Sequence, residues 1–133
     1  MAAKKVIIHT DGTAEPNPGP AAIGATIKDE RGRLIASISK PIGWATNNQA
    51  EYRAVIAALE KAIGLGARQV VLNSDSELVV KQIQGSYRVK KAALKPLYRR
   101  VKELQGLLES LTASHIPREQ NREADRLANQ ALA

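Results

Sequence analysis

The sequence predicts an α/β domain built on a five-stranded mixed sheet, three antiparallel strands plus two parallel ones, with helices on both faces. Three observations predict it. Short runs rich in Val and Ile near the N-terminus are separated by tight polar turns, the pattern of an antiparallel meander. From residue 46 onward, strand-like runs alternate with segments of helical periodicity, the pattern of crossovers into parallel strands. No internal repeat, low-complexity tract or linker-like change of composition divides the 133 residues, so one domain is expected over residues 1–133, within the usual range of roughly 100–200.

Each element has a local reason. Lys5 to Thr10 alternates little and is rich in Val and Ile, which reads as a buried first strand running into Asp11. Ile23 to Asp29 and Leu34 to Ile42 read as a hairpin joined by the polar turn "ERGR". A helix follows, with Thr46 and Gln49 spaced as a capping box and Gly64 and Gly66 as stops. "RQVVLNSD" is a fourth strand ending near Asp75, and the intervening helix makes it parallel to the first. "SELVVKQIQG" is a short helix closed by Gly85. Leu94, Leu97, Val101, Leu104, Leu108 and Leu111 recur at three- and four-residue steps, an amphipathic helix with Pro96 in its first turn. "LTASHIP" is a last strand, and "NREADRLANQALA" a last helix with Asn121 as N-cap.

Composition limits the chemistry. Cysteine is absent, which rules out disulfides and thiolate metal sites and leaves oxygen or imidazole ligands for any metal. The formal net charge of +7 suggests a polyanionic partner such as nucleic acid. No apolar run is long enough to span a bilayer, and "MAAKK" leads directly into a strand without a signal-peptide core. We read the chain as soluble, cytoplasmic and monomeric, with no membrane partner.

Four carboxylates stand at element ends: Asp11 after the first strand, Glu51 in the first turn of the first helix, Asp75 after the fourth strand and Asp125 near the start of the last helix. Each alone has a structural explanation, since acids favour helix N-termini and Asp-Gly starts turns. Taken together they point elsewhere. A meander followed by a crossover makes the first and fourth strands neighbours, so Asp11 and Asp75 meet at their C-terminal ends, where ligands bind in open α/β sheets. Adjacent carboxylates repel, and a hard dication such as Mg²⁺, which takes oxygen ligands, relieves the repulsion. Four acids are a reasonable ligand supply for two ions, the arrangement that cleaves phosphodiesters.

The segments "TDGTAEPNPGPAAIG", "TNNQAEYRAVIAAL", "LNSDSELVVKQI" and "PREQNREADRLAN" resemble, in order and over nearly the whole chain, the four signature segments of type 1 ribonuclease H. The resemblance implies a ribonuclease H-like fold. It also implies an endonuclease that cuts the RNA strand of RNA–DNA hybrids with two Mg²⁺ or Mn²⁺ ions and little sequence preference, leaving 5′-phosphate and 3′-hydroxyl ends. Carried over residue by residue, it makes Asp11, Glu51, Asp75 and Asp125 the metal-binding and catalytic acids. Asn17, Thr46, Asn47 and Asn48 become hybrid contacts, with Thr46 on a phosphate of the DNA strand. Backbone near Gly12 and the side chain of Glu77 would face the RNA 2′-hydroxyls, the groups that distinguish RNA from DNA.

The resemblance also implies a mobile loop residue before the last aspartate. His115 has the expected spacing, ten positions before Asp125, yet falls within the predicted last strand; Arg118, in the "PRE-x-N" segment, is the preferred of the two. Only fifty positions separate Asp75 from Asp125, too few for the basic protrusion of longer members, so the chain resembles the compact branch. Arg88, Lys90, Lys91 and Lys95 would supply part of that protrusion's grip. His9 is assigned no role, and Trp44 either stacks on substrate or packs on the sheet edge. Two rival readings stay open: a nuclease of this fold that also cuts double-stranded RNA, and a hybrid-binding module that does not cut.

Overall fold

A computed structural model describes residues 4–133. Strands β1 (Lys5–Ala14), β2 (Gly19–Asp29) and β3 (Leu34–Ala45) are followed by α1 (Asn47–Gly64), β4 (Gln69–Ser74), α2 (Glu77–Gln84), α3 (Lys95–Gln105), β5 (Ser110–His115), a 3₁₀ turn at Arg118–Gln120 and α4 (Arg122–Leu132). The sheet order is β3-β2-β1-β4-β5. β1, β2 and β3 pair antiparallel, while β4 pairs parallel with both β1 and β5. This is the predicted βββαβααβα order and mixed sheet.

Alternation along the strands sends side chains to two layers. Val6 and Ile8 of β1, Ala25 and Ile27 of β2, and Val70 and Leu72 of β4 join Tyr52, Val55 and Leu59 of α1, Val79 and Ile83 of α2, and Val101 and Leu104 of α3 in the main core. Tyr52 is the largest fully buried side chain; its hydroxyl donates to Gln82 Oε1 at 2.6 Å, which offsets the cost of burying it. The opposite face of β2 receives α4. At Gly24 the approach is backbone to backbone: a Cβ built there would lie 2.2 Å from the Ala124 carbonyl oxygen and 2.5 Å from the Ala128 nitrogen. The ion pair between Lys28 Nζ and Glu123 Oε1, at 2.8 Å, fastens the same helix at its first turn.

Helix ends follow the sequence closely. Thr46 Oγ1 accepts from the Gln49 amide at 3.1 Å, and Gln49 Oε1 accepts from the Thr46 amide at 2.8 Å, completing the capping box. Gly85 closes α2 in the left-handed region.

Four boundaries differ from expectation. β1 does not end at Asp11; it continues to Ala14, paired only with β2. β2 starts at Gly19 and β3 runs to Ala45, each beyond its apolar run, because the two strands pair with each other along that length. α3 stops at Gln105, where Gly106 takes the C-cap, so the leucine periodicity runs on past the helix and Leu111 belongs to β5. Asn121 occupies the N-cap position of α4 without making a capping hydrogen bond. No helix of the described residues is long and apolar enough to cross a membrane.

The contact at Gly24 generates a prediction. Gly24→Ala should lower the unfolding free energy by about 1–3 kcal/mol, as for other overpacking changes, measured by urea titration; stability equal to the parent would show that α4 can move off the sheet freely.

Candidate active site

The site forms where β1 and β4 part. Their parallel ladder ends at the pair Thr10 and Ser74. The next residue on each strand is an acid, Asp11 and Asp75. With the ladder ended, the Thr10 carbonyl accepts a hydrogen bond from Asn121 Nδ2 at 2.8 Å. Asn121 is 1% exposed. It therefore ties the start of α4 to the backbone immediately before Asp11. One turn on, the Asp125 amide donates to the Asn121 carbonyl at 3.1 Å, which sets Asp125 on the side facing Asp11.

α1 brings the fourth acid. At Gly12 a Cβ would lie 2.2 Å from the Ala50 carbonyl carbon, so only glycine lets the helix rest on the strand. That contact places Glu51 against β1, and the Gly12 amide donates to Glu51 Oε1. Asn47 Oδ1 accepts from the Ala14 amide at 2.7 Å, and Asn17 Oδ1 accepts from the Asn47 amide at 3.0 Å. These bonds tie the turn after β1 to the first residues of α1.

Asp11, Glu51 and Asp75 each present an oxygen within 4.8 Å of the others. Burial pushes the Asp11 carboxyl up to about 7, with the charge of Asp75 and the neighbouring Asp125 carboxyl adding to the push. Burial and the charge of Asp11 also raise Glu51, against the Gly12 N–H that favours its ionised form. Three carboxylates held this close repel one another, and a cation among them relieves the repulsion. An all-oxygen donor set that relaxes on gaining positive charge fits a hard divalent ion.

An open cavity of about 380 Å³ surrounds the cluster, lined by the four acids with Gly12, Thr13, Asn47, Asn48, Ser76 and Arg118. Of the residues singled out in the sequence, seven are thus brought together with Gly12. Arg118 Nη2 lies 3.8 Å from Asp125 Oδ1. His115 is exposed at the end of β5 beside Ser74 and does not line the cavity. Asn17 stands next to the lining through its bond to the Asn47 amide, and Thr46 directly precedes Asn47 in the chain. Glu77 is exposed and accepts from the Tyr87 hydroxyl at 2.9 Å. Lys90 and Lys91 lie exposed in the segment between α2 and α3, outside the lining. The Gly12 amide is already bonded to Glu51.

Sequence reasoning missed three participants. Thr13 and Ser76 follow the acid-bearing positions and carry no pattern of their own. Asn121 was legible as a helix start, but nothing local tells a capping asparagine from one that reaches 111 positions back along the chain.

Two predictions follow from this geometry. Asn121→Ala should lower stability by about 1–3 kcal/mol, because it leaves the buried Thr10 carbonyl without its donor; thermal unfolding reads it. Asp11→Asn should raise Tm in EDTA at pH 8, at about 3–6 °C per kcal/mol for a domain of this size. The sign follows from linkage: a carboxyl raised from 3.8 to about 7 by folding disfavours the folded state increasingly as pH climbs between those values. The advantage of the variant should therefore be full above pH 7 and vanish near pH 4. A variant less stable than the parent at pH 8 would contradict the repulsion.

Residues 9–131 match the family described as reverse transcriptase-like. Among solved structures, the N-terminal ribonuclease H domain of a Mycobacterium tuberculosis protein is 41% identical, with a TM-score of 0.94 over 97% of this chain and 99% of that one. RNase H1 of Halobacterium salinarum is likewise 41% identical, with a TM-score of 0.94 over 96% and 97% of the two chains. LC11-RNase H1, isolated from compost and solved with an RNA/DNA hybrid, is 43% identical, with a TM-score of 0.92 over 96% of each chain. The chain spans 35% of the length of the mycobacterial bifunctional protein and 64% of the halobacterial ribonuclease HI. By the family match and these likenesses over nearly all of this chain, the chain belongs to the ribonuclease H family in its type 1 form.

Proposed function

We propose that this chain is an endonuclease that hydrolyses the RNA strand of RNA–DNA hybrids, with residues 1–133 acting as one ribonuclease H domain. The observation that carries the reading is the convergence of Asp11, Glu51 and Asp75 at the end of the parallel ladder. The membership of the family supports it, as does the hybrid bound to LC11-RNase H1. Asp11, Glu51, Asp75 and Asp125 would hold two Mg²⁺ or Mn²⁺ ions. When bound, such ions supply the positive charge that makes water a nucleophile at neutral pH and offsets the charge growing on the leaving 3′-oxygen. Water attack at phosphorus with loss of that oxygen leaves 5′-phosphate and 3′-hydroxyl ends.

The chain's own residues set the geometry. Asp11, rigid on β1 and clamped by Glu51 through Gly12, is the fixed point of the cluster. Asp125 sits on α4, with Arg118 beside it on the exposed 3₁₀ turn. Arg118, which lines the cavity where His115 does not, would meet a phosphate entering or leaving. Asn17 and Asn47 have their side-chain oxygens bonded to backbone, so what they offer a substrate is the Nδ2 donor, suited to minor-groove acceptors without reading sequence. With Thr46 and Asn48 they would hold the strand that is not cut. Glu77 and backbone near Gly12 would face the ribose hydroxyls. Lys90 and Lys91 would meet phosphates farther along the duplex, and neutralising them should flatten the salt dependence of binding.

The test is cleavage of matched hybrid, RNA duplex and DNA duplex in Mg²⁺, Mn²⁺ and EDTA. Hybrid should be cut with either metal, and nothing in EDTA. Asp75→Asn should bind hybrid while losing at least ~10²-fold in kcat, the scale of removing one charge-stabilising group from such a site. Cleavage by that variant at the parent's rate would remove the carboxylates from the mechanism. Equal cutting of RNA duplex would overturn the restriction to hybrids.

A further inference from the structure

Trp44 is the chain's single tryptophan, and it is 72% exposed. A lone exposed apolar residue ordinarily needs no explanation. Here the backbone enforces the exposure. Ala45, the next residue on β3, is buried with Ala14, Ala21 and Ala50 where the turn, the sheet and α1 meet. Adjacent residues of a strand point to opposite faces, so the burial of Ala45 turns the indole outward. Trp44 pairs with Pro20 and Ala45 with Gly19, and Thr46 begins the capping box directly after. The indole therefore stands on a firmly built corner of the molecule.

That corner adjoins the cavity. Trp44 precedes Thr46 by two residues and Asn47, which lines the cavity, by three. Three residues of chain span at most ~11 Å, about three nucleotide steps along a strand. In a duplex the bases are stacked on one another, so a protein ring beside the backbone meets sugars and phosphates. Of these the sugar is the apolar partner, and an indole is the side chain best suited to pack on it while its N–H reaches a phosphate oxygen.

We propose that Trp44 is a substrate-contact residue: its indole packs against the backbone sugars of the strand held by Thr46, within about three nucleotides of that contact. The inference rests on the proposed hybrid-cleaving function and adds to it a contact that strengthens binding without touching the reacting atoms. Trp44 is then the one reporter of binding needed, because the chain's intrinsic indole emission comes from this residue alone.

The experiment titrates the Asp75→Asn chain with hybrid while following tryptophan emission, with the anisotropy of an end-labelled hybrid recorded in parallel. Steady-state cleavage is measured for the parent, Trp44→Ala and Trp44→Phe, each checked for folding by thermal melt. Expected are a saturable change in emission that tracks anisotropy, a KM about 5- to 30-fold higher for Trp44→Ala with kcat within twofold of the parent, and partial recovery in Trp44→Phe. Binding by anisotropy with unchanged emission, and an unchanged KM in a folded Trp44→Ala, overturn the contact while leaving the nuclease reading intact. Concentration-dependent sedimentation of the parent, lost in Trp44→Ala with KM unchanged, makes the ring a contact between copies and likewise overturns it. Failure of the parent to bind or cut hybrid fails the underlying reading, and the contact with it.

Discussion

The site depends on one structural event, the parting of β1 from β4 after Thr10 and Ser74. A parallel ladder uses its backbone groups evenly, so a ladder that stops inside the protein leaves polar groups that must find other partners. Asn121 takes the Thr10 carbonyl. In doing so it couples α4 to β1 immediately before Asp11. Without the parting, Asp11 and Asp75 would be held in register as ladder neighbours instead of opening onto a cavity. Without the asparagine, α4 would keep its packing on Gly24 and its ion pair to Lys28 but lose its direct tie to the backbone before Asp11.

Convergence of the acids works against folding, and the rest of the structure has to outweigh it. Burial and mutual repulsion raise both Asp11 and Glu51. The surrounding contacts are correspondingly rigid: helix backbone resting on Gly12 and Gly24, a complete capping box, and a turn bonded to α1 through Asn17 and Asn47. Strain held at a functional site by over-determined surroundings is the usual arrangement for preorganised chemistry. The small residues of this chain serve that end. Alanines at 14, 21, 45 and 50 let three strands and α1 approach closely enough for Glu51 to reach the Gly12 amide.

What the sequence revealed and what it hid divide along the range of the interactions. The capping box at Thr46, the Gly85 stop and the strand–helix alternation are set by residues within a few positions of each other, and they were legible. The four acids were legible because element order implies strand order: a meander followed by a crossover makes β1 and β4 neighbours before any contact is known. Boundaries set by pairing were not. Asp11 looked terminal because the apolar run ends there, whereas β2 carries the strand on to Ala14. The leucine period of α3 ran on past the helix because Leu111 faces the same core from β5. Asn121 was hidden for the same reason, its partner being fixed only by the tertiary fold. Between His115 and Arg118 periodicity left the choice open; in the fold His115 ends β5 outside the cavity lining, whereas Arg118 is part of that lining.

Under the proposed function, an acidic centre in a protein of net charge +7 poses an electrostatic problem, since a polyanionic strand would have to reach a pocket that itself carries several carboxylates. Two sources of positive charge address it at different ranges. Under the proposed function, divalent ions held by the carboxylates would act within the pocket, offsetting its negative charge for a phosphate at contact distance. Arg118 and the exposed Arg88, Lys90, Lys91 and Lys95 act farther out, where water and salt weaken each of them but their fields add. Under the proposed function these roles cannot be exchanged. Surface lysines draw a duplex in but have no geometry with which to orient a scissile phosphate, and the carboxylates orient ions but repel the duplex until those ions are bound. Under that function metal loading and strand capture would be linked: Asp11, Glu51, Asp75 and Asp125 would hold the ions, whose positive charge would then favour an incoming phosphate.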